Sequence, residues 1–279
     1  VENELDQARE WYRQHRATLP LGQDWSDTAG GFLRLNLKGL SPSAAALARL
    51  SAFLAPSAIP LWLPGEAESV LRSAQEGLTG APFGELDFPL QAAADELRDV
   101  MIGRVHHEQL EPNRLVMDFC RASLSVGQAG ESGSDACRRW VRLALEMVTA
   151  AAERAAYQTA RWDLLRPHAE TVLAFAEANG LAGEAVPLMA ALADFYHQAG
   201  LTDRAIELYE KAIKRLPAGA ASEEAPTATS LRRKLAFAQV DHGDLAAGEA
   251  VLLGVLEEAE EPTERAAVIH DLASLIEPQ

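Results

Sequence analysis

Three kinds of residue in this 279-residue chain have the chemistry for a reactive or ligand-holding site. His106, His107 and Glu108 stand side by side and offer metal-ligating atoms. Read as a strand, neighbouring side chains point to opposite faces, so His106 and His107 do not share one ion. No HExxH or CxxC spacing accompanies them, and no metal is expected. Cys120 and Cys137 are the two cysteines, and either would need His107 to make a nucleophile pair. A thiolate requires an accessible, electropositive pocket. Cys120 follows the apolar run Leu115 to Phe119 and reads as a small core residue. Cys137 precedes Arg138 and Arg139, but no orienting group is evident for it. GxxxxGK[ST] does not occur, so the chain has no phosphate loop. The expectation is no catalytic constellation, no cofactor and no enzyme activity.

Charge narrows the partners. The chain has 25 Lys and Arg against 41 Asp and Glu, a formal charge of −16. Affinity for a phosphate backbone rests on cations replacing counterions, so nucleic acid is not expected as the main partner. The basic clusters Arg138-Arg139 and Arg232-Arg233-Lys234 have acidic neighbours and read as solvated helix faces. The acidic run Glu257-Glu258-Ala259-Glu260-Glu261 reads as a solvated end or as a surface for a basic partner.

The elements that position these residues read as helical. Hydrophobic residues make up 48% and aromatics only 6%, so a core exists and alanine fills much of it, which favours close-packed helices. The length suits two domains of about 150 residues each. Two cysteines are too few for a disulfide framework and fit a cytoplasmic location. Val1 opens the sequence without a signal-peptide pattern, as a trimmed chain or a piece of a longer protein would. The most apolar stretch, Ala44 to Leu63, contains Arg49 and is broken by Pro56 and Pro60, so no membrane span is expected.

Helices are expected over 1–20, with Leu5, Ala8, Trp11 and Tyr12 on one face, and over Ser26 to Lys38. Ser41-Pro42 is a start signal for a helix from Ser43 to Leu54. Further helices are expected over Glu66–Glu76 and Pro89–Val100. Two short β-type runs follow between Val105 and Ser125, with Glu111-Pro112-Asn113 as the turn. Helices followed by a hairpin make the outline of a winged helix. Gly127 to Ser134 is a Gly/Ser joint. Helices are then expected over Trp140–Arg154 and Ala160–Asn179, the second stopped by Gly180.

The stretch Glu184 to Pro217 carries the most information. Leu192, Ala193 and Tyr196 line one helix, Gly200 turns the chain, and Ala205, Tyr209 and Ala212 line the next. Small residues at the crossing, an aromatic in the gap, Gly at the turn and Pro at the end resemble the tetratricopeptide repeat of about 34 residues. A weaker copy has Gly243 at the turn and Gly248 at the crossing, after a longer loop from Ala218 to Thr229. Thr263 to Ile276 reads as a capping half repeat. At least three units are needed to bury such faces, so the 160–180 helix is expected to join the stack.

The run SPSAAALARLSAFLAPSAIPLWL also resembles the winged-helix segment of bacterial signal-transduction ATPases with numerous domains, the NB-ARC (STAND) type with tetratricopeptide tails. The segment Trp162 to Ala169 resembles their junction before the repeats, and the resemblance covers roughly residues 26–215. It implies a sensor part of a larger regulatory protein whose ATPase domain would lie upstream of Val1. That family places a His between hydrophobic residues against the nucleotide phosphates, and Met117-Asp118-Phe119 stands there in this chain. A carboxylate repels a diphosphate, so nucleotide sensing at Asp118 is not expected.

The expected architecture is therefore mainly α, a winged-helix-like domain followed by a tetratricopeptide-type α-solenoid. It has an N-terminal helical segment at 1–25, the winged-helix-like domain at 26–127, a linker at 128–134 and the helical repeats at 135–279. Helical spacing turns Ala190, Asp194 and His197 toward the groove formed by first helices, with Arg233 and Phe237 as equivalents one unit later. The expected partner is a protein or peptide held in that groove. A free-standing repeat adaptor is the alternative, and a DNA-binding regulator using the winged helix is a third reading that the charge disfavours.

Overall fold

The computed structural model describes residues 39–79, 89–100, 102–125, 132–156, 158–216, 226–259 and 261–276. Helices expected over 1–20 and 26–38 lie outside the described residues. The chain is mainly α, with twelve helices and three short strands among the described residues. Contacts divide it into two compact units. The first comprises the described residues through Ala151 together with Pro167–Asn179; the second comprises Ala152–Arg166 and the described residues from Gly180 onward.

The first unit opens with α1 (Pro42–Ser51), whose start follows from the cap chemistry. Ser41 Oγ accepts from the Ala44 N–H at 3.2 Å, and Pro42 occupies the first turn, where no donor is needed. The Ser41 hydroxyl also donates to Glu96 Oε2 at 2.5 Å, and the Ser41 N–H donates to Glu96 Oε1 at 2.7 Å. The cap thereby ties α1 to α4 (Leu90–Asp99), which packs on it beside α3 (Glu68–Thr79). Between α1 and α3 run strand β1 (Ile59–Pro60) and the short α2 (Trp62–Gly65).

After α4 come β2 (Gly103–His106) and β3 (Gln109–Pro112). β3 lies centrally in an antiparallel sheet of order β1-β3-β2, with Ile59 opposite Leu110 and Val105 opposite Leu110. The hairpin turn is His107-Glu108, both left-handed at φ 47° and 59°, the primed geometry that matches strand twist. This corrects the expected turn at Glu111–Asn113. Asn113 instead accepts from the Leu115 N–H at 3.0 Å and starts α5 (Arg114–Ser125). Val116, Met117, Cys120 and Leu124 are buried at spacings of three and four, a helical period and not a strand's.

Helix α6 (Gly133–Arg154) begins earlier than expected, inside the Gly/Ser joint, because Ser132 accepts from the Asp135 N–H at 3.2 Å. Trp140 is fully buried, with the Arg49 guanidinium 5.5 Å from its ring centroid. Helix α7 (Thr159–Ala178) contains Pro167, where the division between units falls. In its first-unit part Phe175 meets Phe53 edge-on at 5.4 Å, and buried His168 places Nε2 3.2 Å from the Ala58 carbonyl.

The second unit continues with α8 (Val186–Gln198), α9 (Thr202–Arg215), α10 (Ala228–Asp241), α11 (Leu245–Glu258) and α12 (Pro262–Ile276). Each packs on the next, and α10 also touches α8 and α12. Gly200 and Gly243 end α8 and α10 at φ 74° and 101°, the left-handed region where a Cβ is strained. The same reach-back bond closes both turns, Leu201 N–H to Tyr196 carbonyl at 2.8 Å and Asp244 N–H to Gln239 carbonyl at 2.9 Å. Ala205, Tyr209 and Ala212 form the buried face of α9. Trp162 stacks on Phe195 at 5.1 Å. Ala236, Leu252, Val255 and Val268 make the core shared by α10, α11 and α12.

Two glycines of α11 behave oppositely. A Cβ on Gly248 would lie 2.5 Å from Val240 Cγ2 and 2.7 Å from the Ala236 carbonyl oxygen, whereas one on Gly254 meets nothing within 4 Å. Gly248→Ala is expected to destabilise the protein by about 1–3 kcal/mol, the usual cost of overpacking. Gly254→Ala is expected to stabilise it by up to about 1 kcal/mol, the helix-propensity difference. Thermal unfolding followed by circular dichroism measures both, and an unchanged melting temperature for Gly248→Ala would contradict the close crossing of α10 and α11.

His168 generates a pH prediction. Its Nδ1 is buried with no hydrogen-bond partner, and burial holds its pKa below the ordinary value of 6.5 despite the opposing bond to Ala58. The unfolded chain therefore binds more protons than the folded one below about pH 6.5. The stability that neutral His168 contributes is present above that pH and is lost as pH falls through it. Between pH 7 and 5 the melting temperature of the parent should fall more steeply than that of His168→Gln; parallel slopes would disprove the assignment.

Candidate partner-binding surface

The expected groove residues sit on α8 and α10, and the structure brings most of them into cross-helix pairs. Asp194 on α8 accepts from the buried Tyr209 hydroxyl at 2.5 Å and pairs with Lys234 Nζ of α10 at 2.6 Å. Burial, reinforced by the Asp194 carboxylate, pushes the Tyr209 phenol far above its usual range, so it stays a donor. His197 Nε2 lies 2.7 Å from Asp241 Oδ2. One step along, Arg233 of α10 grips Asp271 of α12 with Nε and with Nη2, the latter at 3.1 Å. The Asp271 bond raises the Arg233 pKa, and Asp271 itself is buried. These pairs form a polar ladder from α8 through α10 to α12.

Ala190 is buried, so it does not present the open groove position that was expected. Phe237 is half-buried on α10, one turn from Arg233, so the two share a side of that helix. Of the five expected groove positions, Asp194, His197 and Arg233 are thus tied to neighbouring helices, and Phe237 lies beside Arg233 on α10. Lys234, expected only as part of a solvated basic face, pairs with Asp194, and Asp241 and Asp271, for which no role was expected, complete the ladder. Their signal is opposite charge on alternate helices, which becomes meaningful only once those helices are known to be adjacent.

The other chemical candidates take different places. His106 and His107 do not point to opposite faces as the strand reading expected. Their rings stack with centroids 4.0 Å apart, because His107 has already left the strand for the left-handed turn. Among the described residues no group of three or more His, Cys, Asp or Glu is placed to hold a metal ion. Cys120 is buried, and burial pushes its thiol up to about 12, so it carries no thiolate near neutral pH. Burial also raises Cys137, with Arg121 opposing. Asp118 pairs with Arg121, whose guanidinium also donates to the Ala52 carbonyl. No helix among the described residues is long and apolar enough to cross a membrane.

Comparison with protein-family models, curated proteins and solved structures yields no match for this chain.

The ladder is asymmetric in its buried charge. Removing Arg233 leaves the buried Asp271 carboxylate without its fork of donors, whereas Asp271→Asn leaves no buried charge and keeps an acceptor. Arg233→Ala should cost about 1.5–3 kcal/mol, the range for hydrogen bonds to charged groups, and Asp271→Asn about 0.5–1.5 kcal/mol. Urea unfolding at pH 7 compares them; a larger loss for Asp271→Asn would show that Asp271 is well hydrated.

Proposed function

We propose that the chain is a protein-interaction module in which a winged-helix-like unit is joined to a tetratricopeptide-type superhelix that recognises a protein or peptide through its first helices. The order α1-β1-α2-α3-α4-β2-β3 with sheet order β1-β3-β2 supports a winged-helix-like first unit. Paired helices with glycine turns at Gly200 and Gly243 support the superhelix. The observation that carries the reading is Phe237, a half-buried aromatic beside a row of fixed charges. Aromatics in that setting are the anchors that dominate interfaces. The ladder serves it by fixing the charges around the anchor before a partner arrives, which reduces the ordering cost of binding.

By the resemblance of the first unit, the module belongs to a larger STAND-type regulator in which the repeats sense a ligand and the winged helix relays the change. That reading predicts a phosphate loop in the coding sequence before Val1, and a free-standing adaptor has none. Asp118 paired with Arg121 supports a relay that does not itself hold nucleotide.

Phe237→Ala should reduce partner recovery at least tenfold in pull-downs from native extract, while the wing double His107→Ala/Arg114→Ala retains it. Circular dichroism must show both folded. Loss of partners in the wing variant alone would make the winged-helix-like unit the recognition element and overturn the proposal.

A further inference from the structure

Helix α11 is unusual in this chain because it is apolar nearly all round. Its inner face, Gly248, Leu252 and Val255, is buried, as a repeat requires. Its outer face is apolar too, with Ala246, Ala250 and Leu253 in one row, and Leu253 is 46% exposed. A helix apolar on every side is ordinarily covered on every side. On the flank of that row the surface sinks into a cavity of about 280 Å³ between α9 and α11, floored by Leu235 of α10 and walled by Ile213, Val251 and Val255. That volume is at or below the roughly 300–1,000 Å³ of small-molecule sites, and it continues outward as an apolar row, so its shape suits side chains presented by a helix.

Gly254 opens this cavity. It lines the space, and a Cβ there would meet nothing, so packing inside the chain does not require glycine. Glycine inside a helix costs up to about 1 kcal/mol relative to alanine. A close approach by something outside the chain gives that cost a use.

Charge selects the occupant. The two cations at the rim are already paired, Lys214 with Glu210 at 3.5 Å and Arg232 with Glu258. Helix α11 contains no Lys or Arg, and its exposed Glu249 and Glu257 form no ion pair among the described residues. An apolar row beside two unpaired carboxylates complements a helix with an apolar stripe and basic flanks.

We propose that the α9–α11 cavity and the outer row of α11 form a docking site for a cationic amphipathic helix of a partner protein. One apolar side chain enters beside Gly254, the stripe covers Ala250 and Leu253, and basic residues meet Glu249 and Glu257. Leu235 and Arg232 leave α10 on the side away from Arg233 and Phe237. The site is therefore separate from the first-helix surface and does not depend on that surface's role.

The test uses the full chain and three synthetic 18-residue peptides. One has Leu at helical i, i+3, i+4, i+7 spacing with Lys elsewhere, one has Glu in place of Lys, and one has the Lys/Leu composition in scrambled order. Fluorescence anisotropy measures affinity, and methyl NMR of Ile213, Val251 and Leu253 locates binding. The Lys helix should bind at least tenfold more tightly than the other two and shift those methyls. Gly254→Leu, which fills the cavity, should weaken it at least tenfold, as should Leu253→Ser if Gly254→Leu fails to fold. Glu249→Gln/Glu257→Gln should weaken it at least threefold and flatten its salt dependence, while Phe237→Ala binds as the parent does. Absence of binding, equal binding of the scrambled peptide, or indifference to both cavity variants overturns the proposal. So does loss of binding in Phe237→Ala alone, which would move the peptide to the first-helix face.

Discussion

The second unit depends on how closely α10 and α11 approach each other, and Gly248 sets that distance. A single methyl at this position would stand within 2.7 Å of a backbone carbonyl oxygen, so the helices cross where no side chain fits between them. Close crossing brings Ala236 of α10 against Leu252 and Val255 of α11, and the same core reaches Val268 of α12. Ala205 takes the position on α9 that Gly248 takes on α11, and with Tyr209 and Ala212 it forms the buried face of that helix. Because each helix of this unit packs on the next, each such crossing determines where the following helix lies.

The polar ladder follows from that geometry. Contacts of α10 with α8 and α12 put Asp194 near Lys234, His197 near Asp241 and Arg233 near Asp271. Exposed pairs of this kind contribute little each, typically about 0–1 kcal/mol for an ion pair such as Asp194–Lys234, so the outer rungs orient the surface more than they hold it together. The Arg233–Asp271 rung differs because its carboxylate is buried and gripped by two donors. A surface whose charges are already engaged presents a fixed pattern, and half-buried Phe237 lies beside it on α10.

The two units use polar groups differently. In the first, Ser41 caps α1 and binds Glu96 in one arrangement, so a local helix signal doubles as a tertiary tie to α4. His168 is kept neutral by burial, bound on one side to Ala58 and unpartnered on the other. The sheet is small, and β3 gains its central place because the tight turn at His107-Glu108 folds it back between β2 and β1.

What the residues alone determined was local. The cap at Ser41-Pro42, the left-handed glycines at Gly180, Gly200 and Gly243, and the helical spacing of Ala205, Tyr209 and Ala212 each act within a few residues, and the structure has each where the sequence placed it. Even locally, competing signals misled: Pro112 and Asn113 read as a turn, but Asn113 spends its side chain capping α5, and the turn falls at a His-Glu pair without glycine or asparagine. The mainly helical character was legible from composition and period; Asp194, His197, Arg233 and Phe237 were legible as positions on a helix, not as interactions. Only the tertiary structure decided that Asp194, His197 and Arg233 have partners 40, 44 and 38 residues away. It also decided that Ala190 is covered and that Gly254 faces open space while Gly248 does not. The reason is physical: caps, turns and periodicity are written in neighbouring residues, whereas pairing and burial depend on which helices pack together, and that depends on the whole core.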